Sequence, residues 1–426
     1  MVFFRVTNSI NIKITDGTIL KYDRFKAPVG LENETVYITT YDDFKDLQDI
    51  FSKVDKNRYL AKILNEKSVK DNSNFPTEIG ISFENEYKIK EEFKENSFFD
   101  LKQNSLLYTL NSFHKPIIKV ALIGSLGSTI SDMISSMAAL RIFYEELKNI
   151  YSKVELDIFI KASNNTYYKT DKSIYETQKY INGVYPLAIN SKTICKYDYF
   201  VDNSVDISKI LDINIVDAWL YKFGIDYKKI PSSKKYSELN CEHFELSKGL
   251  SQKIIDAKKR GKLLLFHPYS ATINKSIPQN FAIEILKGLI DKLDDYVIIT
   301  TLLIDPKIKS DNYIDLSTYS KTIEDFIYIV SSMDKIITAY TSALHIADAF
   351  MIPTVCIATF KDYEESLKYY NYTKTIYVKD SSKNLSKFIY ENDTLTINKF
   401  EEWRNLKIED IIKTLEIFWY NVYLKF

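Results

Sequence analysis

The chain has 426 residues, of which 45% are apolar and 27% charged, the balance of a globular protein with two or three domains. Basic and acidic residues each number 57, so the net charge is zero and general nucleic-acid binding is not indicated. We find neither a signal-peptide pattern nor an apolar run of about 18 residues, so no membrane span is predicted. Three distant cysteines (Cys195, Cys241 and Cys356) form no metal-binding spacing and favour a reducing cytoplasm.

Residues 1–115 differ from the rest of the chain and predict a separate, smaller α+β domain. Polar and apolar positions alternate around Asp16-Gly17, which is typical of a β-hairpin. Residues 43–64 are predicted to be helical, because Phe44, Leu47 and Ile50 recur at helical spacing.

From residue 116 onward, strands and helices alternate, which predicts parallel sheets covered by helices. The first series occupies residues 116–250, the second residues 251–400, and a final helix residues 401–426. The predicted fold class is therefore α/β, with two Rossmann-like halves preceded by the smaller α+β domain. In such folds, ligands bind at the carboxyl ends of the strands.

Residues 335–360 are typical of a strand, a tight turn, a helix and a second buried strand. Thr341 and Ser342 stand where a helix N-cap is expected. A helix N-terminus favours anions, because its N–H groups are unpaired and its dipole is positive there. This turn is therefore predicted to bind phosphate.

Several segments resemble the family-nine heptosyltransferases, which are glycosyltransferases of the GT-B fold. In that family the first strand leads to Gly-Asp, with the leucine of Pro-Ala-Leu eight residues after the aspartate. Ser131-Asp132 and Ala138-Ala139-Leu140 match this spacing, with serine for the glycine and alanine for the proline. The resemblance implies that Asp132 deprotonates the acceptor and that Gly127 and Ser128 lie in the acceptor-side loop. The alternative is that Asp132 only caps a helix.

Residues 267–278 resemble the family's donor-phosphate motif, P-G-A-x-x-x-x-K-x-W-P. Lys275 matches the lysine that contacts the donor phosphates, and Ser270 lies in the same loop. A lysine ammonium at this position would neutralise a departing diphosphate. Ile277 stands where the family usually has tryptophan.

Residues 340–349 resemble the family's most diagnostic motif, D-[ST]-G-x-x-H-x-A-x-A. Thr341 and His345 match it, whereas Ser342 replaces the glycine and Tyr340 the acid that meets the donor sugar. His345 would contact phosphate or ribose, or would be a buried core histidine. A phenol at position 340 offers one hydroxyl and a ring. Both altered sugar choice and lost activity therefore remain open.

The resemblance implies an inverting, metal-independent glycosyltransferase that uses a nucleotide-sugar donor, with ADP-heptose as one candidate. The acceptor would be a lipopolysaccharide-core sugar or a protein hydroxyl, and no cofactor is expected. The autotransporter heptosyltransferases of this family also carry a β-rich N-terminal domain, which favours a role in bacterial cell-surface glycosylation. Their cysteine-rich iron-binding finger has no counterpart in this sequence.

Two rival functions remain at this stage. A non-catalytic GT-B-like subunit would bind a partner or an acceptor, since two motif positions differ from the family pattern. A nucleotide-sugar epimerase would need more acids in its cleft than the sequence offers. The final helix resembles the C-terminal segment that crosses back to the first half in GT-B folds, which implies that it packs on that half. Its aromatic cluster Phe418-Trp419-Tyr420 leaves a homo-oligomer contact and a peripheral membrane contact as alternatives.

Overall fold

The computed structural model describes residues 2–24, 36–54, 61–64, 106–203, 206–271, 275–360, 362–379 and 401–422. The chain divides into two compact units, Met1–Lys235 and Tyr236–Phe426. This boundary precedes the one we expected after residue 250. Ser247, for example, is bound to the second unit through both its backbone N–H and its hydroxyl, which donate to Asp325 at 2.7 Å. Among the described residues, no helix is long and apolar enough to cross a membrane.

The first unit combines short antiparallel strands with a parallel α/β sheet. Its helices and strands are β1 (Val2–Val6), β2 (Ile10–Lys13), β3 (Ile19–Tyr22), β4 (Tyr37–Thr39), α1 (Tyr41–Val54), β5 (Ala61–Leu64), α2 (Leu106–Asn111), β6 (Ile117–Ile123), α3 (Ile130–Lys148), β7 (Lys153–Ile160), α4 (Asn165–Glu176), β8 (Gly183–Pro186), β9 (Ile189–Asn190), α5 (Ser191–Ile194), β10 (Tyr199–Asp202) and α6 (Ile215–Lys222).

The N-terminal strands form an antiparallel sheet with the order β5-β1-β4-β9. Its last strand, β9, comes from the parallel series, so residues 1–115 share a sheet with the first half. The strands β2 and β3 form a hairpin around Gly17, whose φ of +86° favours glycine, and the predicted hairpin is confirmed. The predicted helix 43–64 is wrong in its second part, because Ala61–Leu64 pairs with β1 instead.

The parallel sheet of the first unit has the order β10-β6-β7-β8. One face packs on the N-terminal sheet, where Phe3 and Ile38 join Ile123 and Phe200 in a single core. Met133, Met137, Leu140 and Phe143 of α3 are all buried, as their helical spacing predicted. The strand order brings β6 and β10 side by side, so the residues that follow them meet at one carboxyl edge.

The second unit is a parallel sheet with helices. Its helices and strands are α7 (Leu250–Lys258), β11 (Lys262–His267), α8 (Gln279–Lys292), β12 (Tyr296–Thr300), β13 (Tyr313–Asp315), α9 (Ile323–Ser331), β14 (Lys335–Ala339), α10 (Ser342–Ala349), β15 (Thr354–Ala358), α11 (Tyr363–Ser366), β16 (Thr373–Tyr377) and α12 (Ile408–Val422).

The sheet order β13-β12-β11-β14-β15-β16 is the doubly wound Rossmann order, with the first and fourth strands adjacent. The β11–β14 register pairs His267 with Thr338. The order reverses between these two strands, and ligands of such sheets bind at this position. The predicted fold class, α/β with two Rossmann-like halves behind a smaller α+β segment, is confirmed.

The final helix packs on the second unit in its described part. Ile411 and Leu415 of α12 are buried with Leu264 and Val355, and the Lys335 ammonium donates to the Leu415 carbonyl at 3.0 Å. We expected this helix to pack on the first half. Its apolar residues instead cover the parallel sheet of the second unit. The side chains of the predicted aromatic cluster 418–420 lie outside the described residues.

Candidate functional site

The carboxyl edge of the first sheet carries a glycine-bearing loop. Gly124 follows β6 with a φ of +100°, and a Cβ there would lie 3.1 Å from the Asn203 carbonyl oxygen. Asn203 follows β10, and its N–H donates to the Ile123 carbonyl at 2.8 Å. A glycine at position 124 therefore lets the ends of two neighbouring strands approach closely.

Asp132, the predicted general base, lies in the first turn of α3 and forms a capping box with Thr129. The Thr129 hydroxyl accepts from the Asp132 N–H at 3.1 Å, while the Asp132 Oδ2 accepts from the Thr129 N–H at 3.1 Å. Gly127 has a φ of +97°, and a Cβ there would lie only 2.3 Å from the Asp132 Cβ. The loop thus holds the carboxylate half-exposed at the edge of the sheet.

Ser128 links this loop to the segment that follows β10. Its hydroxyl accepts a hydrogen bond from the Lys209 ammonium, which also pairs with Asp206 at 3.3 Å. The predicted residues Gly127, Ser128 and Asp132 are therefore neighbours, and they adjoin a lysine that sequence reasoning did not select.

Helix α4 adds two residues that we did not predict. The Tyr175 hydroxyl accepts from the Leu126 N–H at 2.7 Å and so anchors the glycine loop. One helical turn earlier, Asp171 is half-buried, and burial raises the pKa of its carboxyl to about 7. A lone acid in a charge-rich helical segment gives no sequence signal, because its burial depends on distant residues.

In the second unit, hydrogen bonds after β11 bring residues 268 and 270 close to residues 276 and 277, next to Lys275. The Ser270 N–H donates to the Ser276 hydroxyl at 2.9 Å, and that hydroxyl donates to the Ser270 carbonyl at 3.0 Å. The Ile277 N–H donates to the Pro268 carbonyl at 2.9 Å. Ser270 therefore shapes the loop through its backbone, and Ile277 is buried where the resembling family has tryptophan.

Thr338 and Thr341 join this edge to the start of α10. The Thr338 hydroxyl donates to the His267 carbonyl at 2.9 Å and lies 3.0 Å from the Thr341 hydroxyl. The Thr341 hydroxyl in turn accepts from the Ala343 N–H at 3.2 Å, so the predicted N-cap is confirmed. Ser342, half-buried, is the first residue of the helix.

The Lys275 ammonium lies over an aromatic pair. It is 4.7 Å from the centroid of the Tyr340 ring and 5.4 Å from that of Phe360. The two rings meet edge to face at 4.8 Å. Tyr340, which stands where the resembling family has an acid, therefore contacts the lysine by cation–π attraction. Phe360 had no signal in the sequence because it follows β15, far along the chain from either partner.

His345 lies on α10 behind Tyr340. Its Nδ1 is 2.5 Å from the Tyr370 hydroxyl, and its ring meets the Tyr340 ring edge to face at 5.2 Å. Burial, together with the Lys275 charge, lowers the pKa of His345 to about 3, so the ring is neutral at pH 7. Lys275, Tyr340, Thr341 and His345 are thus brought together, as the motifs predicted.

A buried acid on the same helix should make the stability of the protein depend on pH. Burial raises the pKa of Asp348 to about 7, so the folded protein binds a proton that the unfolded chain has already lost. Stability is then lost as the pH rises from about 4 to 7. We expect Asp348→Asn to raise the free energy of unfolding by about 3 kcal/mol at pH 8, and far less at pH 4.5.

Urea unfolding of both proteins at the two pH values measures this difference. Asp256→Asn is the matched control, since Asp256 on α7 is exposed and paired with Lys259. An equal gain from Asp348→Asn at both pH values would contradict the prediction.

Comparison with known proteins gives similarities of fold. No family model and no curated protein matches the sequence. The structure is similar to the Escherichia coli ADP-heptose lipopolysaccharide heptosyltransferase II, with 13% identity, a TM-score of 0.47 and coverage of 70% of this chain and 98% of that one. It is also similar to a glycosyl transferase of family 9 from Veillonella parvula, with 12% identity, a TM-score of 0.47 and coverage of 70% and 96%.

A further similar structure is TibC, an iron-containing dodecameric glycosyltransferase from enterotoxigenic E. coli. It shares 13% identity at a TM-score of 0.44 over 71% of this chain and 78% of that chain. Among the described residues, we find no group of three His, Cys, Asp or Glu side chains that could hold a metal ion.

Proposed function

We propose that this protein is an inverting glycosyltransferase that moves a sugar from a nucleotide-sugar donor to a hydroxyl acceptor. One observation carries the proposal. The ammonium of Lys275, the ring of Tyr340 and the Thr341-capped start of α10 occupy one carboxyl edge, where the order of a Rossmann sheet reverses. A cation beside a helix N-terminus suits a diphosphate, and a ring suits the face of a sugar.

In the proposed reaction, the acceptor oxygen bonds to the anomeric carbon as the bond from that carbon to the diphosphate breaks. Asp132 takes the proton of the acceptor hydroxyl, and the electron pair leaves with the nucleoside diphosphate. Lys275 and the N–H groups at the start of α10 stabilise the charge that develops on the departing diphosphate. Neutral His345 positions Tyr340 through their edge-to-face contact.

We further propose a heptose-like sugar in the donor, such as that of ADP-heptose, because the motifs around Lys275 and His345 resemble those of heptosyltransferases. The acceptor class follows from the same resemblance: a lipopolysaccharide-core sugar or a protein hydroxyl. A cytoplasmic location agrees with the three cysteines, Cys195, Cys241 and Cys356, which form no disulfide with one another.

A second candidate is a non-catalytic GT-B-like subunit that binds a partner or an acceptor in a glycosylation complex. The contact between Lys275 and the rings of Tyr340 and Phe360 favours it, because the ammonium is held by aromatic faces where the family has an acid. The capping role of Asp132 favours it too, since one carboxylate oxygen is engaged in the helix start.

Calorimetric titration of the purified protein with ADP-heptose, UDP-glucose and ADP tests both candidates. We expect a Kd on the order of micromolar for at least one nucleotide sugar, with slow release of the nucleoside diphosphate when water replaces the acceptor. Binding without any release, with or without sugar acceptors, would favour the non-catalytic subunit. If no nucleotide sugar binds, the enzyme proposal fails.

A further inference from the structure

A lysine outside the motifs contacts the loop that holds Asp132. Lys209 belongs to the segment that follows β10, and its ammonium donates a hydrogen bond to the Ser128 hydroxyl. Asp206 pairs with the same ammonium at 3.3 Å, and Oδ1 of Asp206 accepts from the Ser208 N–H at 3.2 Å. Asp206 therefore holds Lys209 beside the glycine loop, at the carboxyl edge that the paired strands β6 and β10 share.

Ser128 connects this ammonium to the proposed general base. Its hydroxyl lies 3.5 Å from Oδ2 of Asp132, and its backbone N–H donates to the same oxygen at 3.4 Å. An ammonium can only donate, so the Ser128 oxygen accepts from Lys209 and keeps its own hydrogen for the carboxylate. A hydroxyl that accepts from a cation becomes a stronger donor, because hydrogen bonds in a chain polarise one another. The contacts thus run in one direction, from Lys209 through Ser128 to Asp132.

The two oxygens of the Asp132 carboxylate have different surroundings. Among the described residues, every hydrogen bond to this carboxylate ends on Oδ2, from Ser128 and from the Thr129 N–H at 3.1 Å. Oδ1 is therefore the oxygen left to receive a proton from an acceptor hydroxyl. Rotation about the bond between Cβ and the carboxylate carbon would exchange the two oxygens, so the donors to Oδ2 fix which oxygen remains available.

We propose that Lys209 is a positioning residue, which acts through the Ser128 hydroxyl to hold Oδ2 of Asp132 and so presents Oδ1 as the base. The inference rests on the proposed function, because it concerns the proton transfer of that reaction. Oδ1 takes the proton of the acceptor hydroxyl, while the acceptor oxygen keeps the electron pair and forms the bond to the anomeric carbon. Lys209 neither gains nor loses a proton in this step.

The kinetics of Lys209→Met test this role in the full-length protein. The Lys209 side chain is 59% exposed, so the substitution leaves no cavity and should leave the Tm unchanged. We expect kcat for sugar transfer to fall about ten- to a hundredfold through misplacement of the base, with little change in the KM of the acceptor. Lys209→Arg keeps a charged donor at this position and should retain most of kcat.

A double variant tests whether Lys209 acts through Ser128. Ser128→Ala should lower kcat about as much as Lys209→Met, and combining the two substitutions should cause no further loss. The matched control is Lys229→Met, because Lys229 is also exposed and pairs with an aspartate three residues earlier, Asp226, at 3.4 Å. This control should leave kcat and KM unchanged.

A spectroscopic measurement needs neither donor nor acceptor. In protein with ¹⁵N-labelled lysine, the Lys209→Arg variant identifies the NMR signal of the Lys209 Nζ. We expect this signal to shift in Ser128→Ala and in Asp132→Asn, because both substitutions change the chain of hydrogen bonds that the ammonium enters. It should stay in place in Asp325→Asn, since that capping box belongs to the second unit.

Three kinetic results would overturn the inference. These are a raised acceptor KM with kcat unchanged, which would make Lys209 an acceptor-binding residue, additive losses in the double variant, and an equal loss in Lys229→Met. A Lys209 Nζ signal that responds to neither Ser128→Ala nor Asp132→Asn would also overturn it. If the wild type transfers no sugar while the signal responds as expected, the proposed function fails but the connection from Lys209 to Asp132 stands.

Discussion

Replacing Lys275 with glutamine is expected to lower the rate of sugar transfer about a hundredfold or more. The ammonium lies at the switch point of the second sheet, where it would neutralise the departing diphosphate. Glutamine keeps most of the length and polarity of the side chain but removes its charge. The loss should therefore appear in kcat as well as in the Kd of the nucleoside diphosphate. Single-turnover transfer and calorimetric titration measure the two effects.

Three further variants distinguish the effect of the Lys275 charge from that of its surroundings. Lys287→Gln is the matched control, because Lys287 is exposed on α8, and it should leave both quantities unchanged. Tyr340→Phe keeps the ring under the ammonium and should retain donor binding, whereas Tyr340→Asp draws the ammonium into an ion pair and restores the family's acid. If Tyr340→Asp leaves donor binding and turnover unchanged, residue 340 does not determine donor use.

Replacing Asp132 with asparagine is expected to reduce transfer by about two to four orders of magnitude, because an amide cannot accept the acceptor's proton. Asparagine keeps a side-chain oxygen near the Thr129 N–H, so helix α3 should still begin at the same residue. Donor affinity should stay near that of the wild type, since the donor residues belong to the second unit. Acceptor-dependent release of the nucleoside diphosphate measures the effect.

The chain offers a matched control for the capping role of Asp132. Thr322 and Asp325 form the same capping box at the start of α9. Asp325→Asn should therefore lower stability at least as much as Asp132→Asn while transfer continues. Equal losses of transfer in the two variants would assign Asp132 a structural role.

Local patterns predicted most of the individual elements. The hairpin at Gly17, the strand β6 and the buried side of α3 follow from period-two and helical spacing within short windows. The N-cap at Thr341 follows equally from adjacent residues. These features depend on interactions between near neighbours, so the sequence contains the information to place them.

Features that join distant segments were missed. The strand β5 was included in the predicted helix 43–64 because the helical spacing of Phe44, Leu47 and Ile50 was extended to it, and only pairing with β1 sets it apart. The strand β9 has two residues and leaves no pattern, yet it joins the N-terminal sheet to the first half. The final helix was assigned to the first half by analogy, whereas its apolar side covers the second sheet.

The residues of the proposed site also include some that the sequence selected and some that it did not. Motif spacing selected Asp132, Lys275 and His345, and their roles remain predictions until the variants above are measured. The partners that define their environment, Phe360 and Tyr370, come from segments that follow later strands. Asp171 and Asn203 had no signal, because a partnerless buried polar group is recognised only once its surroundings are known.

For this protein, residue type and spacing alone indicate the alternating α/β architecture and the capped helix start at Thr341, since both depend on short-range periodicity and capping. Tertiary structure decides that Tyr340 holds Lys275 by its ring and that the Asn203 amide is buried without a described partner. The physical reason is that cation–π contacts, desolvation and hydrogen-bond satisfaction depend on distance in space, which the order of residues along the chain does not specify.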